Sequence, residues 1–489
     1  MKRSIQIAPK MALSSLLLSL ILAGCAVGPD YKAPDTKLMP FHNASLVSAA
    51  GSSSAPALDR WWTGFDDPML VTIIQRALAQ NLDLAASIAR VSQARAVASG
   101  AGAQLLPTVD LGGSASATHQ SLRGPIGTIA SGSPGFKRDV HDVSIGPAAS
   151  WELDLFGGVR RGAAAAEAEA TAAEADQAGT RVMVAADAAD SYLQVRGYQA
   201  RLAIAQEQIK VDEQLLQLVQ RRYAAGAAQG LEVAQAEALL KSARATVPPL
   251  RIALEQQLNR LDVLMGVQPG TYAKDLSQAK AIPSIPAIPA DSEPVELLRR
   301  RPDIIAAERR LAASNERIGV AISDYYPKIS LSGLLGFDSM SGHLFTSSAF
   351  QAAGGVGLRW RLFDSGKVDA EVAQARGSNA EALAVYKQSV LRAAEDVENA
   401  LVGLSQTQIH VAQLQDQVES LVRARDLSER AYRAGSITLT DVLDADRQLL
   451  AARDELDANR ANAARAAVGV FRAFGGGWES TVALAKNIN

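Results

Sequence analysis

The sequence contains little of what enzymes and metalloproteins depend on. Its 489 residues include one cysteine and five histidines, and no two histidines have the spacing of a metal-binding pair. There is no Gly-x-Ser-x-Gly turn for a nucleophile and no glycine-rich phosphate loop. We therefore expect a protein that is not an enzyme, with no catalytic site, no metal and no cofactor.

Aromatic residues and net charge are also scarce. Phe, Trp and Tyr make up 5% of the chain, and 49 basic residues nearly balance 51 acidic ones, for a formal net charge of −2. So small an aromatic content does not suit several thick globular cores, whereas it suits long helices that pack closely through small side chains. The charge balance gives no reason to expect binding to nucleic acid.

Long apolar runs are missing after the first 24 residues. No later segment reaches the roughly 18 to 20 consecutive apolar residues that a transmembrane helix needs. Residues 1–24 have the basic start and short apolar run of a lipoprotein signal peptide. The sequence Leu22-Ala23-Gly24-Cys25 resembles a bacterial lipobox, in which Cys25 carries the lipid and anchors the protein to a bilayer. An ordinary signal peptide with an incidental cysteine is the alternative.

Two segments show an alternation of period two, which is the pattern of β-strands with one apolar face. The first runs from about 108 to 154 and the second from about 328 to 363, each as two strands of roughly ten residues joined by a loop. That strand length fits an outer-membrane barrel, and Trp151 and Trp360 would lie in its interfacial aromatic belt. The alternative is a small soluble antiparallel sheet.

Each strand pair is followed by a very long segment with a seven-residue apolar period, which is typical of coiled coils. The first, from about Val159 to Ala225, would form a helix roughly 100 Å long at 1.5 Å per residue. Gly226 and Gly435 form the turns that end the two long helices. Pro248-Pro249 predicts a break in the first return helix. The remaining predicted helices cover residues 69–106, 232–265 and 441–474.

The strand pair and the helical hairpin both occur twice, so the chain is predicted to be an internal two-fold repeat. The predicted segments are a signal peptide (1–24), a lipidated N-terminal tether (25–60), a first repeat (61–266) with its tip near 226–231, a proline-rich crossover linker (267–301), a second repeat (302–477) with its tip near 435–440, and a C-terminal tail (478–489).

The four strands of one chain cannot close a barrel, and open sheet edges are not tolerated in lipid. If the strands span a membrane, the chain must oligomerise, and three copies would give twelve strands, within the range of bacterial barrels. We therefore predict a mixed α/β membrane protein. Each chain would contribute four strands to a trimeric 12-stranded transmembrane β-barrel, and its long coiled-coil helices would form a periplasmic α-barrel.

Several motifs resemble the TolC-type outer-membrane efflux family, and some are similar to its NodT-like lipoprotein branch. These motifs are the tip residues 432–445, the strand-to-helix turn at 151–158, and the segments 24–31, 300–304 and 326–333. The resemblance covers about residues 25–477. It implies a homotrimeric outer-membrane exit channel of a tripartite efflux pump. Such a channel docks onto a periplasmic adaptor and an inner-membrane pump, commonly of the proton-driven RND class.

In that family, the hairpin tips close the periplasmic mouth of the channel. The resemblance assigns acidic rings of this gate to Asp441 and Asp444, which are one helical turn apart, and a closing contact to Tyr432 and Glu232. Three chains would bring six carboxylates to the pore axis, which favours cations or a block by divalent ions. The alternative role of Asp441 and Asp444 is stabilisation of a helix N-terminus, and for Asp441 the two roles are compatible. Ile437 stands where the family has an arginine.

Two other functions remain open from the sequence. A periplasmic coiled-coil adaptor or tether lipoprotein without a pore would explain Cys25 and the heptads, but it would leave the paired alternating segments unexplained. An exit duct for type I protein secretion would use the same fold as an efflux channel. The predicted location is the outer membrane, with a lipid anchor and an extension into the periplasm, so membrane lipid is a further expected partner.

Overall fold

The computed structural model describes residues 26–35, 39–43, 56–288, 299–340 and 342–479. The predicted signal peptide, Cys25, and parts of the tether, the crossover linker and the tail lie outside these described residues. The chain divides into two compact units. We call them the sheet unit, with residues up to 34, 92–172 and 308–385, and the hairpin unit, with residues 35–91, 173–307 and 386 onward.

The region before the first strand contains a 3-10 helix and two α-helices, and the two α-helices cover most of the predicted helical region 69–106. A 3-10 helix (Leu58–Phe65) precedes α1 (Pro68–Gln80) and α2 (Leu82–Ala103). Asn81 separates α1 from α2, because its backbone is extended (φ −62°, ψ 129°). Its buried side chain donates to the carbonyl of Leu264 and accepts from the amide of Leu84, both at 2.9 Å. Asn81 therefore caps α2, and the predicted helical region 69–106 is divided at this residue.

The sheet unit contains a four-stranded antiparallel sheet whose strands follow chain order. Its strands are β1 (Thr108–His119), β2 (Asp139–Leu153), β3 (Lys328–Ser339) and β4 (Phe350–Arg359), with a short helix α3 (Pro125–Ala130) in the first loop. Val109 lies opposite Ala149, and Trp151 lies opposite Leu331, so these residues share an apolar face. Ser114 and Ser144 pair on the other, polar face. The predicted alternation of period two is confirmed.

The tryptophans of the two strand pairs have equivalent contacts. Each indole N–H donates at 3.0 Å to a backbone carbonyl just before its own strand pair, that of Leu105 for Trp151 and that of Tyr325 for Trp360. Each bond ties the end of the second strand to the start of the first. A position of these rings in an interfacial aromatic belt stays a prediction.

The residues that follow Cys25 are bonded to the sheet unit. Arg161 lies in the first turns of α4 (Gly158–Ala224), and its side chain is only 6% exposed. Its guanidinium donates to the carbonyls of residues 27–29 at 3.1 to 3.3 Å. It also pairs at 2.9 Å with Asp30 and with Glu316 of α7 (Pro302–Ser323). The start of the predicted tether is therefore a fixed part of the sheet unit.

Both long helices of the predicted coiled coil are present, and each has 67 residues: α4 and α8 (Lys367–Arg433). The first return segment is divided at Thr246 into α5 (Gly230–Ala245) and α6 (Val247–Leu264). Proline in the first turn of α6 suits this division, and the predicted break is confirmed. The second return helix, α9 (Leu439–Ala473), is continuous.

The 3-10 helix contributes three buried aromatic residues, Trp61, Trp62 and Phe65, to the core of the hairpin unit. The Trp61 ring stacks on that of Phe471, with centroids 5.3 Å apart, and both side chains are buried. The amide of Gly477 donates to the carbonyl of Leu58 at 2.8 Å. The start of the first predicted repeat and the end of the second therefore pack together within this unit.

Candidate functional site at the hairpin tips

The two helical hairpins turn with the same backbone geometry. Gly226 has φ 71° and Gly435 has φ 76°. The amide of Ala227 donates to the carbonyl of Arg222 at 2.8 Å, and that of Ser436 donates to the carbonyl of Ala431 at 2.9 Å. This is the bonding of a Schellman motif with glycine in the left-handed conformation. Glycine is therefore favoured at both predicted turns, because each turn requires a positive φ.

We expect Gly435→Ala to destabilise the tip of the second hairpin by ~1–2 kcal/mol, because an alanine pays the cost of the left-handed conformation. Nothing lies within 4 Å of the position that its Cβ would take, so steric overlap would not add to this cost. Hydrogen exchange of residues around the turn measures the change. Gly403→Ala is the matched control, since Gly403 is a helical residue of α8 with the same open space, and alanine should stabilise it slightly. Equal effects of the two substitutions would contradict the conformational reason.

Glu232 and Asp441 occupy the same capping position in the two return helices. The amide of Gln229 donates to Glu232 at 3.1 Å, and the amide of Thr438 donates to Asp441 at 3.0 Å. The Thr438 hydroxyl also donates to Asp441 at 2.7 Å. These hydrogen bonds, that of the hydroxyl first, lower the pKa of the Asp441 carboxyl. Asp441 is therefore an exposed, ionised carboxylate that also caps α9, as its alternative role anticipated.

Tyr432 and Glu232 form a direct contact between the two hairpins of one chain. The Tyr432 hydroxyl donates to Glu232 Oε2 at 2.9 Å, and the ring is 2% exposed. The guanidinium of Arg222 lies over this ring at 4.5 Å and donates to the Tyr432 carbonyl at 3.0 Å. Burial, together with the Glu232 carboxylate, raises the pKa of Tyr432 to about 12. Tyr223 is the matching residue of the first tip, and it is 54% exposed.

Asp444 lies one helical turn beyond Asp441 on α9. Its side chain is 55% exposed, and one of its oxygens accepts a hydrogen bond from Arg447 at 3.2 Å. The contact with Arg447 was not predicted from the sequence, and it partly offsets the negative charge of Asp444. Asp441 and Asp444 are thus two exposed carboxylates in the first turns of one helix, near the tip but not in contact with Tyr432 or Glu232.

Ile437, at the position where the family resemblance led us to expect an arginine, has a packing role. It lies partly buried against an apolar cluster that fills the space between the tips. The buried members of this cluster are Leu215, Val219, Ala236, Leu239, Tyr432, Leu439, Val442 and Leu443. An arginine would expose its charge to this cluster, whereas isoleucine extends the apolar surface. The tips of this chain therefore combine an apolar contact with the Tyr432–Glu232 bond.

Asp446 is the acidic residue near the tip that sequence reasoning missed. It is 2% exposed, and one of its oxygens accepts from Arg425 of α8 at 3.0 Å. Its position carried a signal, since it falls in the apolar stripe of α9 with Val442 and Leu449 at a spacing of four and three residues. An aspartate in such a stripe indicates a buried charge rather than a solvated one.

The described helices include none with the length and hydropathy of a membrane span. Among the same residues, no group of three or more His, Cys, Asp or Glu side chains is arranged to hold a metal ion.

A sequence model of the outer membrane efflux protein family matches residues 73–267 and 294–476, which covers most of both predicted repeats. The chain belongs to the outer membrane efflux protein family.

Relatives and solved structures of this family match almost the whole chain. The chain is 34% identical over 471 residues to the pyoverdine export outer membrane protein OpmQ of Pseudomonas aeruginosa, covering 96% of this chain and 97% of that protein. It is 32% identical over 435 residues to nodulation protein T of Rhizobium leguminosarum bv. trifolii, covering 88% and 90%. The structure of the outer-membrane channel OprN aligns with a TM-score of 0.86 and 35% identity, covering 93% of this chain and 100% of that one.

The fold is thus that of a TolC-like outer-membrane channel, and the chain is an outer-membrane exit channel of an efflux pump that extends into the periplasm. Its relatives are channels and not enzymes. The predicted family, fold class and function are confirmed, as is the predicted location in the outer membrane with an extension into the periplasm. The adaptor or tether without a pore is set aside.

Proposed function

We propose that three copies of this chain form a gated conduit whose hairpin tips are the periplasmic gate. The observation that carries the gate is the hydrogen bond between Tyr432 and Glu232, because it ties the two hairpins of one chain together at their tips. In this proposal the Tyr432–Glu232 bond is present when the gate is closed and is broken when the gate opens. Asp441 and Asp444 stand beside it as exposed carboxylates, which favours acidic rings at the constriction.

The sheet supports the trimer. β1 and β4 are its two outer strands, each paired on one side only. Pairing of β4 with β1 of the next copy would satisfy both open edges, and three copies would close twelve strands. The predicted boundaries of the N-terminal tether (25–60) and of the two repeats (61–266 and 302–477) belong to this proposal.

The partners in this proposal are a periplasmic adaptor and an inner-membrane pump of the RND type. The channel itself performs no chemistry, so the pump supplies the energy and selects the cargo. Small-molecule efflux is favoured over protein secretion by relatives such as the pyoverdine export protein OpmQ.

We also propose that Cys25 carries a lipid. Support comes from its neighbours, since the amide of Val27 donates to the carbonyl of Phe156 at 3.0 Å, in the turn that directly follows β2. With the sheet in the outer membrane, the acyl chains of Cys25 would be within reach of the bilayer. Mass spectrometry of the N-terminal peptide of the mature protein, compared with Cys25→Ser, tests this step.

The gate is tested by single-channel conductance of the purified protein in planar bilayers. Wild type is expected to carry small currents that a divalent cation blocks. Asp441→Asn/Asp444→Asn should carry larger currents and need about tenfold more cation for the same block, because several like charges at the constriction are removed. Asparagine keeps an oxygen that can accept the Thr438 hydrogen bonds, so the cap of α9 is preserved.

Asp416→Ala/Glu419→Ala is the matched control, since it removes two exposed carboxylates from α8. Its currents and block should equal those of wild type. Pores that are unchanged by the Asp441/Asp444 substitutions would keep the channel and reject these residues as the gate. The absence of current from well-folded trimers in several lipids would reject the conduit.

A further inference from the structure

Two buried carboxylates lie on different helical hairpins, one on α4 of the first and one on α9 of the second. We call the region between these two helices the seam. Asp212 of α4 is 1% exposed and Asp446 of α9 is 2% exposed. Both lie in apolar stripes, since Leu215 and Val219 follow Asp212 in its stripe and Leu449 follows Asp446. Among the described residues, only four buried side-chain nitrogen or oxygen atoms lack a hydrogen-bond partner, and two of them are the Oδ2 atoms of Asp212 and Asp446.

The hydrogen bonds around these carboxylates are unequal. Asp446 Oδ1 accepts from the Nε of Arg425 at 3.0 Å. Asp212 Oδ1 accepts only from the neutral amide of Gln208, at 2.8 Å. A buried carboxylate without a cationic partner is costly, because its charge has lost water without gaining an opposite charge.

Among the described residues, Arg425 is the cation bonded to this pair, and it is shared with further acidic groups. The guanidinium of Arg425 also pairs with Glu429 at 2.8 Å and lies 3.4 Å from Asp426, both on α8. The arginine of α5, Arg244, pairs with Glu213 at 2.7 Å. On α9, Arg447 bonds Asp444 outside the seam. The described groups around the pair thus leave an excess of negative charge in the seam.

We infer that Asp212 and Asp446 form a buried proton-binding site between the two helical hairpins, with Asp212 as the group that takes the proton. The proton comes from bulk water and binds Asp212 Oδ2, which turns a buried anion into a neutral acid. The remaining charge of Asp446 is then balanced by Arg425. Neither carboxylate takes part in the Tyr432–Glu232 contact, and neither is one of the exposed carboxylates of the proposed gate.

Protonation of Asp212 makes the packing of the two hairpins depend on pH. Burial is the main cause that raises the pKa of Asp212 to about 6, and the charge of Asp446 adds to it, while the Gln208 amide and Arg425 act against it. The pKa of an unfolded aspartate is 3.8. Because the folded value is the higher one, packing of the hairpins is strengthened as the pH falls through about 6 and weakened as it rises.

Infrared difference spectroscopy of the detergent-solubilised protein tests the site, because a buried carboxylic acid has its own carbonyl-stretch band. Wild type should show one such acid that ionises near pH 6. Asp212→Asn should lose this band, and Asp446→Asn should shift the ionisation to lower pH, since a neighbouring negative charge is removed. Asp416→Asn, on the exposed surface of α8, should leave the band unchanged.

Hydrogen exchange of α9 gives a second readout. After correction for intrinsic rates, amides around Asp446 should open about tenfold less often at pH 5 than at pH 7.5, because pH 5 lies about one unit below the folded pKa of Asp212 and each unit corresponds to a factor of ten. Asp212→Asn should be protected equally at both values.

Three results would overturn the inference: a band that survives Asp212→Asn, protection in wild type that does not depend on pH, or an ionisation that added calcium displaces to lower pH, which would make this a metal site. These readouts need no current through the channel, so their failure would leave the proposed function in place.

Discussion

Tyr432→Phe is expected to favour the open state of the tips by roughly thirtyfold. The substitution removes a hydrogen bond to a carboxylate, which contributes about 2 kcal/mol in a partly buried place, and ~1.4 kcal/mol corresponds to a factor of ten. The ring itself stays, so the apolar cluster at the tip and the stacking of Arg222 are kept. The open probability of single channels, measured at neutral pH, reports the change.

Tyr223→Phe is the matched control for this substitution. Tyr223 occupies the equivalent place before the first tip glycine, but its side chain is 54% exposed, so loss of its hydroxyl should alter the open probability less than twofold. An equal response of the two variants would show that the Tyr432–Glu232 bond does not hold the gate.

Glu232→Gln removes the charge of the residue that accepts from Tyr432, and Glu232 also caps α5. Glu232 accepts from Tyr432 with one oxygen and from the Gln229 amide with the other, and glutamine can keep one of these bonds with its single oxygen. A double-mutant cycle with Tyr432→Phe then measures the coupling between the two side chains. Independent effects of the two substitutions would contradict a direct contact in the closed state.

The long-range architecture could be predicted because it follows from periodicity. A seven-residue apolar period over two long segments indicates coiled-coil helices, and α4 and α8 both run for 67 residues. The period of two likewise predicted both strand pairs. Such patterns can be read from each segment alone, without knowing what it packs against, since they reflect which face of each helix or strand avoids water.

Contacts between distant residues could not be predicted in the same way. Asn81 divides a helix-forming region because its side chain reaches the carbonyl of Leu264, and no local pattern reports that neighbour. The Tyr432–Glu232 contact was suggested by family resemblance and not by spacing. Asp446 was predictable in part. Its position in an apolar stripe can be read from the sequence, whereas its contact with Arg425 cannot.

The hydrogen bonds of Arg161 lead to the largest expected effect on stability. The side chain is 6% exposed and joins Asp30, five residues after Cys25, to Glu316 of α7. Arg161→Met keeps the apolar stem but leaves Glu316, which is 17% exposed, without its cation. Breaking a buried ion pair in this way costs ~3–5 kcal/mol, and the carbonyls of residues 27–29 lose their donors as well.

Release of residues 27–34 is the expected consequence of Arg161→Met. Their amides should exchange hydrogen about a hundredfold or more faster than in wild type, and a protease should cut this segment first. Arg317→Met is the control, because Arg317 makes an exposed ion pair with Glu169 that is worth less than about 1 kcal/mol. Arg161→Lys should restore part of the protection, since one ammonium group cannot donate to all the acceptors that the guanidinium reaches.

Unchanged protection in Arg161→Met would place the anchoring energy elsewhere in the same segment. Gly28 is the alternative, because its φ is 98° and a Cβ there would lie 2.6 Å from the Cα of Gly319. Gly28→Ala should then release the segment while Arg161→Met does not. If Arg161→Met alone frees it, one guanidinium fixes residues 27–34 to the sheet unit, and the proposed lipid on Cys25 is held at one place on that unit rather than on a free tether.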